Sequence, residues 1–207
     1  MKTLAILGAS GHGKVVADAA LAGGWDAIEF FDDAWPSLEC VGPWPVLGSS
    51  AELLRMAGAV DGAVVAIGNN RVRLTKMREL RMKGVPLVSV VHPAAVISRY
   101  AAVGVGCVVF AGAVVNAFAR LGEGCIVNTG ATIDHDCELA DGVHMSPGSN
   151  LGGGVVVGEA TWIGIGACVR HYVSIGSDVI VGAGAAVVDD VAPGATVVGV
   201  PARAGRH

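Results

Sequence analysis

His135 lies between Asp134 and Asp136 in the stretch GATIDHDCELADGVH, residues 130–144, and His144 follows nine positions later. Only 15% of the chain is charged, so an imidazole held between two carboxylates calls for an explanation. Histidine titrates closest to neutrality, at roughly 6.5. A neighbouring carboxylate favours the imidazolium and orients the ring, which is what a general base needs. The competing reading is structural: Asp136 is a turn-forming residue type, and either reading fits it. An imidazole, however, gives a tight turn no special help. A second group is the loop GASGHG, residues 8–13, between a strand and a helix. Main-chain amides at such a helix N-terminus can cradle phosphate, although a plain tight turn would look the same. Its glycines are spaced three and two apart, which matches neither the dinucleotide GxGxxG nor the P-loop. NAD is therefore disfavoured, even though Asp32 and Asp33 lie near the usual distance for a ribose contact. The five cysteines (40, 107, 125, 137 and 168) form no CxxC pair. Reduced thiols and no metal are expected.

The elements that position these residues fall into two halves. Residues 1–90 alternate strand and helix: TLAILG, GKVVADAALAGG, AIEFFDD, SSAELLRMAG, GAVVAIG, NNRVRLTKMRELRMKG and PLVSVV. Apolar strands alternating with helices imply a parallel sheet covered on both faces, a small Rossmann-like domain. The last helix carries Arg71, Arg73, Lys76, Arg78, Arg81 and Lys83, and a solvated face accounts for most of that charge.

The second half, residues 91–207, is governed by a period of six that runs from Val91 to Val191. From Val91 through Ile97, Val103 and onward to Val187, all seventeen positions are aliphatic or Met, without insertion or deletion. Two places before each lies a small or β-branched residue, so both columns point inward along a strand; Cys107, Cys125 and Cys137 belong to this inward set. Three places after, nine of seventeen residues are Gly and Asp recurs, as a corner with positive φ requires. Six residues with such a corner make one side of a triangular prism. Three sides give an 18-residue coil, and seventeen hexads give between five and six coils stacked at roughly 4.8 Å. In this frame His135 and Asp136 are the two corner residues of one hexad, and His171 occupies another corner.

A net charge of −4 argues against a nucleic-acid partner. No run reaches the roughly 18 apolar residues of a membrane span, and MKTLAILGASGHG lacks a signal peptide's layout. A soluble cytoplasmic protein is expected.

The hexads and the closing VVGVPAR resemble the hexapeptide-repeat acyltransferases, which implies a left-handed parallel β-helix, a homotrimer and acetyl-CoA bound between coils. IDHDCELADGVH is similar to the active-site segment of bacterial nucleotide-aminosugar N-acetyltransferases of the bacillosamine and perosamine type, with sialic acid O-acetyltransferases close by. The resemblance implies His135 as general base, Asp136 as its supporter and His144 as an acetyl-CoA contact, with Gly153, Ile165 and Ala183 along the CoA groove. The bacillosamine enzymes carry Glu where this chain has Asp136, and Asp134 is an alternative supporter. The same family carries GASGHG, a DD closing the second strand and AIGNN closing the third. It thereby implies that Ser10, Gly11 and His12 hold a pyrophosphate, and that Asp32, Asp33, Gly68 and Asn69 surround a nucleotide. The function implied is acetyl transfer from acetyl-CoA, directly and without an acyl-enzyme, to the 4-amino group of a UDP-linked 4-amino-4,6-dideoxysugar. Sialic acid O-acetylation, or a non-catalytic nucleotide-sugar-binding solenoid, are the alternatives. His92, His171 and Trp162 receive no role.

Overall fold

The computed structural model describes residues 2–205. The chain divides into two compact units, Met1–Pro93 and Ala94–His207. Among the described residues no helix is long and apolar enough to cross a membrane.

In the first unit β1 (Thr3–Leu7), α1 (Gly11–Ala22), β2 (Ala27–Phe31), β3 (Cys40–Val41), β4 (Trp44–Gly48), α2 (Ser50–Arg55), β5 (Gly62–Val65) and α3 (Asn70–Met82) follow in order. The sheet order is β3-β4-β2-β1-β5, parallel except for the antiparallel β3–β4 pair. Both faces of the central strands are buried, as continuous apolar runs demand. Ala5, Leu7, Phe31 and Val65 pack with Leu53 of α2 and Met77 of α3. The alternating residues Leu4, Ile6, Phe30 and Val64 are equally buried on the side of α1, whose Gly13 lies against Phe30. The chain runs outward from β1 to β2 and β4, then returns to the other flank of β1 as β5. The loops leaving β1 and β5 therefore diverge at one edge, the place where open α/β sheets bind ligands.

Two local expectations are revised. The hairpin of β3 and β4 was not anticipated: it is short and carries a proline, which hides its alternation. The stretch PLVSVV is mostly irregular, with a parallel bridge from Leu87 to Ala63 and a two-residue strand at Val90–Val91.

The second unit is a parallel β-helix. Two-residue strands recur every six residues and pair with the strand 18 residues away, as in Val96↔Val114↔Thr132 and Ile126↔His144↔Trp162. One face holds six strands, from Val96–Ile97 to Ala186–Val187, and a second holds five, from Ala102–Val103 to Ser174–Ile175. The third includes Val108–Val109 through Ile180–Val181 and then Thr196–Val198. Both inward columns form one core, Cys107, Cys125 and Cys137 among them. The corner residue with positive φ is the third after each aliphatic position from Val103 to Val181. Nine glycines from Gly106 to Gly184 adopt it, and so do Phe118, Asp136, Ala160, Tyr172 and Asp178.

The hexad frame ends at Val187, but the coil does not. Val191 pairs with Ile175, and Thr196 and Val197 pair with Ile180 and Val181, so one corner is two residues short. Arg203–Ala204 then folds back antiparallel to close the third face.

Candidate active site

Asp136 sits at φ 59°, a left-handed corner that Asp tolerates better than most residues. There its Oδ2 lies 2.7 Å from Nδ1 of His135. With Nδ1–H donating to the carboxylate, Nε2 keeps the lone pair that accepts a proton. Asp134 is engaged otherwise, its Oδ1 accepting from the His135 N–H at 2.8 Å and from Asn116 Nδ2 at 2.9 Å. Of the two candidate carboxylates, Asp136 therefore touches the ring and Asp134 braces the backbone beneath it. The hydrogen bond to Asp136 and then the negative charge of Asp134 raise the pKa of His135 above its ordinary value. The imidazole is on the outside of the prism, with its side chain 52% exposed.

Gly153 is the same corner one coil further on. A Cβ there would lie 2.6 Å from both Cε1 and Nε2 of His135, so the ring rests where Gly153 has no side chain. Gly154 beside it likewise makes room for the ring of Tyr172.

His144, Ile165 and Ala183 meet in a different place. They line an open pocket of about 440 Å³ together with Pro147, Trp162 and Ile180. His144 is buried. Its ring centroid is 4.4 Å from that of Trp162, whose Nε1–H donates to Ser146 Oγ at 2.7 Å. Trp162, which received no role from the sequence, is thus a wall of this pocket. The signal was available, because Trp162 is one coil from His144 and pairs with it in register.

His135 and Gly153 occupy the edge that follows strands Thr132–Ile133 and Asn150–Leu151, whereas the pocket lies on the preceding face and edge. One six-residue prism side separates them, roughly 15–20 Å at about 3.3 Å per residue. A single protomer does not bring the two together.

In the first unit the three sequence motifs converge on the ends of β1, β2 and β5. Asp32 ties two of them: its Oδ2 accepts from the Ala9 N–H at 2.7 Å and its Oδ1 from Ala34 at 2.9 Å. Gly8 has φ 114°, and a Cβ there would come within 2.7 Å of the Ala66 carbonyl oxygen, so only glycine lets the first and third motifs touch. Ser10 is the N-cap of α1 and makes no side-chain capping bond, while Gly11 and Gly68 face open space. Asp33 is exposed and accepts from the Ser50 N–H at 2.8 Å, with Lys76 Nζ at 3.6 Å; the Ser50 bonds, ahead of Lys76, hold its pKa low. Asn69 caps α3 through the Val72 N–H at 3.0 Å. His12 is half-buried, and burial followed by the charge of Arg73 lowers its pKa to about 4. The solvated basic face expected on α3 holds at Arg71, Arg78 and Arg81, which are exposed, while Arg73 is 1% exposed and points into this cluster.

An α/β unit followed by an 18-residue coil with a carboxylate-supported histidine on its edge defines the left-handed β-helix acyltransferase class. The PglD N-terminal domain family matches residues 3–80. The acetyltransferase domain of PglB from Neisseria gonorrhoeae FA1090, solved with acetyl coenzyme A, is 44% identical, with a TM-score of 0.94 over 98% of each chain. PerB from Caulobacter crescentus, solved with CoA and GDP-perosamine, is 39% identical with a TM-score of 0.94, covering 100% of this chain and 98% of that one. A UDP-N-acetylbacillosamine N-acetyltransferase of Bacillus subtilis (strain 168) is 38% identical over 111 residues, 52% of this chain and 51% of that protein. The aligned stretch thus spans about half the length of that curated relative. The chain belongs to the family of left-handed β-helix nucleotide-aminosugar N-acetyltransferases.

Proposed function

We propose that this protein transfers the acetyl group of acetyl-CoA to the 4-amino group of a nucleotide-linked 4-amino-4,6-dideoxysugar, UDP-linked, with His135 as general base. The observation that carries this reading is the 2.7 Å contact from His135 Nδ1 to Asp136 on an exposed edge, which leaves Nε2 available to a substrate. The likeness to PerB, solved with CoA and GDP-perosamine, and to the Bacillus subtilis UDP-N-acetylbacillosamine enzyme supports the substrate class.

In the proposed reaction the amine nitrogen attacks the thioester carbon. His135 Nε2 takes the proton the amine nitrogen sheds, the C–S bond breaks, and the imidazolium gives that proton to the departing CoA sulfur, which regenerates the base. The raised basicity of His135 suits it to an amine that is mostly protonated near neutrality. The transfer is direct. The thiol nearest in sequence, Cys137, is buried and donates to the Gly152 carbonyl at 3.2 Å, and burial pushes its pKa up, so it is no nucleophile.

The pocket of His144, Trp162, Ile165 and Ala183 is assigned to acetyl-CoA: its lining is mostly apolar, with a few polar groups at one end, as cofactor sites commonly are. Because that pocket and His135 lie on different parts of one prism, the complete site requires a second copy of the chain, and a homotrimer supplies it with closed symmetry. The nucleotide is assigned to the first unit. There Ser10, Gly11, His12, Asp33, Gly68 and the Asn69 main chain meet the ligand, while the side chains of Asp32 and Asn69 hold the loops in place.

The test is acetylation of UDP-, dTDP- and GDP-linked 4-amino sugars with CoA release followed in parallel. Acetylation of the UDP-linked sugar is expected, and turnover of none of the three would end the reading. Mixing His135→Ala protomers with protomers altered in the pocket should restore activity if the site is shared; failure to do so in verified mixed trimers would end the shared-site assignment.

A further inference from the structure

Arg73 heads the fully buried large side chains of the molecule. Burying a guanidinium is costly unless its donors are met, and the way they are met here is informative. Nη1 donates to the carbonyl oxygens of Ile67 at 2.9 Å and Gly68 at 3.2 Å, and Nη2 donates to Asn70 Oδ1 at 2.9 Å. The two carbonyls belong to consecutive peptide units in the turn between β5 and α3. In a planar trans peptide the N–H points opposite to the C=O. With both carbonyls drawn to one nitrogen, the N–H groups of Gly68 and Asn69 must both be turned away from Arg73.

Two successive N–H groups aimed the same way form a concave receptor for an acceptor oxygen, and here they precede the positive end of a 13-residue helix. The Asn69 side chain fixes the turn from the other side by accepting from Val72. Around Gly68 the space is open, since a Cβ there would meet no atom within 4 Å. His12, with a pKa near 4, is uncharged at neutral pH, so this cluster does not rely on an imidazolium to attract the ligand.

We infer that Arg73 is a positioning residue for the nucleotide: by holding the Ile67 and Gly68 carbonyls it aims the Gly68 and Asn69 N–H groups at acceptor oxygens of a nucleoside diphosphate. This rests on the assignment of the first unit to the nucleotide. Arg73 touches no ligand itself. Lysine at this position keeps the charge but lacks the planar fork that spans two carbonyls and an amide.

The test is calorimetric titration of the protein, unaltered and as Arg73→Lys and Arg73→Met, with UDP, GDP, uridine and acetyl-CoA. In Arg73→Lys, UDP binding should weaken about tenfold, with acetyl-CoA affinity held and the protein still folded at the titration temperature despite a lowered thermal midpoint. Loss for UDP but not uridine places the donors at phosphate, and equal loss for both places them at the base. Unchanged UDP affinity in a folded variant overturns the inference, and so does a parallel loss of UDP and acetyl-CoA. Should both variants fail to fold, the amide resonances of Gly68 and Asn69 in the unaltered protein decide. Their movement on UDP addition supports the inference, and their indifference overturns it. If the unaltered protein binds neither UDP nor GDP, the nucleotide assignment itself falls, which is a failure distinct from that of Arg73.

Discussion

In the coil, a residue's partners stand eighteen positions away; in the α/β unit they stand wherever a crossover returns. His135 rests on Gly153, Asn116 bonds Asp134, and His144 stacks near Trp162, each pair one turn of the prism apart. Ala9 bonds Asp32, Ser50 bonds Asp33 and Lys76 reaches Ser50 across 23, 17 and 26 residues, spacings that no single rule relates. The coil builds its site by repetition, so an error at one corner is carried to the next. The sheet builds its site from loops, which can change length while the strands stay in register.

That contrast can be broken most forcefully by an insertion. One extra residue between Gly148 and Ser149 moves each inward side chain beyond it off the core column until the coil ends. The thermal midpoint should fall by more than about 10 °C, or the coil should fail to fold. The same insertion at Gly58, a turn with φ 85° and open space around it, should cost far less. Comparable losses at the two places, by circular dichroism melting, would erase the distinction.

Next in size is His135→Ala. Acetyl transfer to the amino sugar should drop about a thousandfold, while the oligomer, read by light scattering, and acetyl-CoA affinity stay as they were. Retained full activity would remove the corner from the chemistry. Gly153→Ala sharpens the periodic argument, because it alters the base from a coil away. Its Cβ would displace the imidazole from Asp136, and kcat should fall roughly tenfold to a hundredfold with little change in the melting point.

Smallest is Asp136→Asn. Asp136 and Asp134 stabilise the protonated imidazole, so the unaltered enzyme should reach its base form at higher pH than an unperturbed histidine would. The acid limb of kcat/KM should thus lie to the alkaline side of an unperturbed imidazole's. Removing the carboxylate charge should move that limb downward while lowering the plateau several-fold. A limb that stays in place would show that Asp134, or another group, sets it.

The second unit is legible as far as Val187 because its period converts sequence distance into contact. The inward thiols, the positive-φ corner and the outward His135 all follow from the frame. Trp162 obeys the same rule, standing eighteen positions from His144 and pairing with it in register. The two-residue shortfall after Val187 was invisible, since Val191 and Thr196–Val198 obey the pairing but not the count. In the first unit the alternation gave the parallel sheet, but not the β3–β4 hairpin. Arg73 is the exception to the solvated face of α3, and composition hides it for a physical reason. A helix face rich in Arg and Lys has the same composition whether or not one guanidinium turns inward, and only the carbonyls it meets tell the difference.

The inward cysteine column has a practical consequence for following CoA release with a disulfide reagent. Cys107, Cys125 and Cys137 are sealed in the prism, while Cys40 and Cys168 are exposed. The folded protein should therefore consume two equivalents of reagent per chain, and the remaining three sulfurs should respond only once the coil opens. A slow third equivalent would accordingly report breathing of the stack rather than turnover.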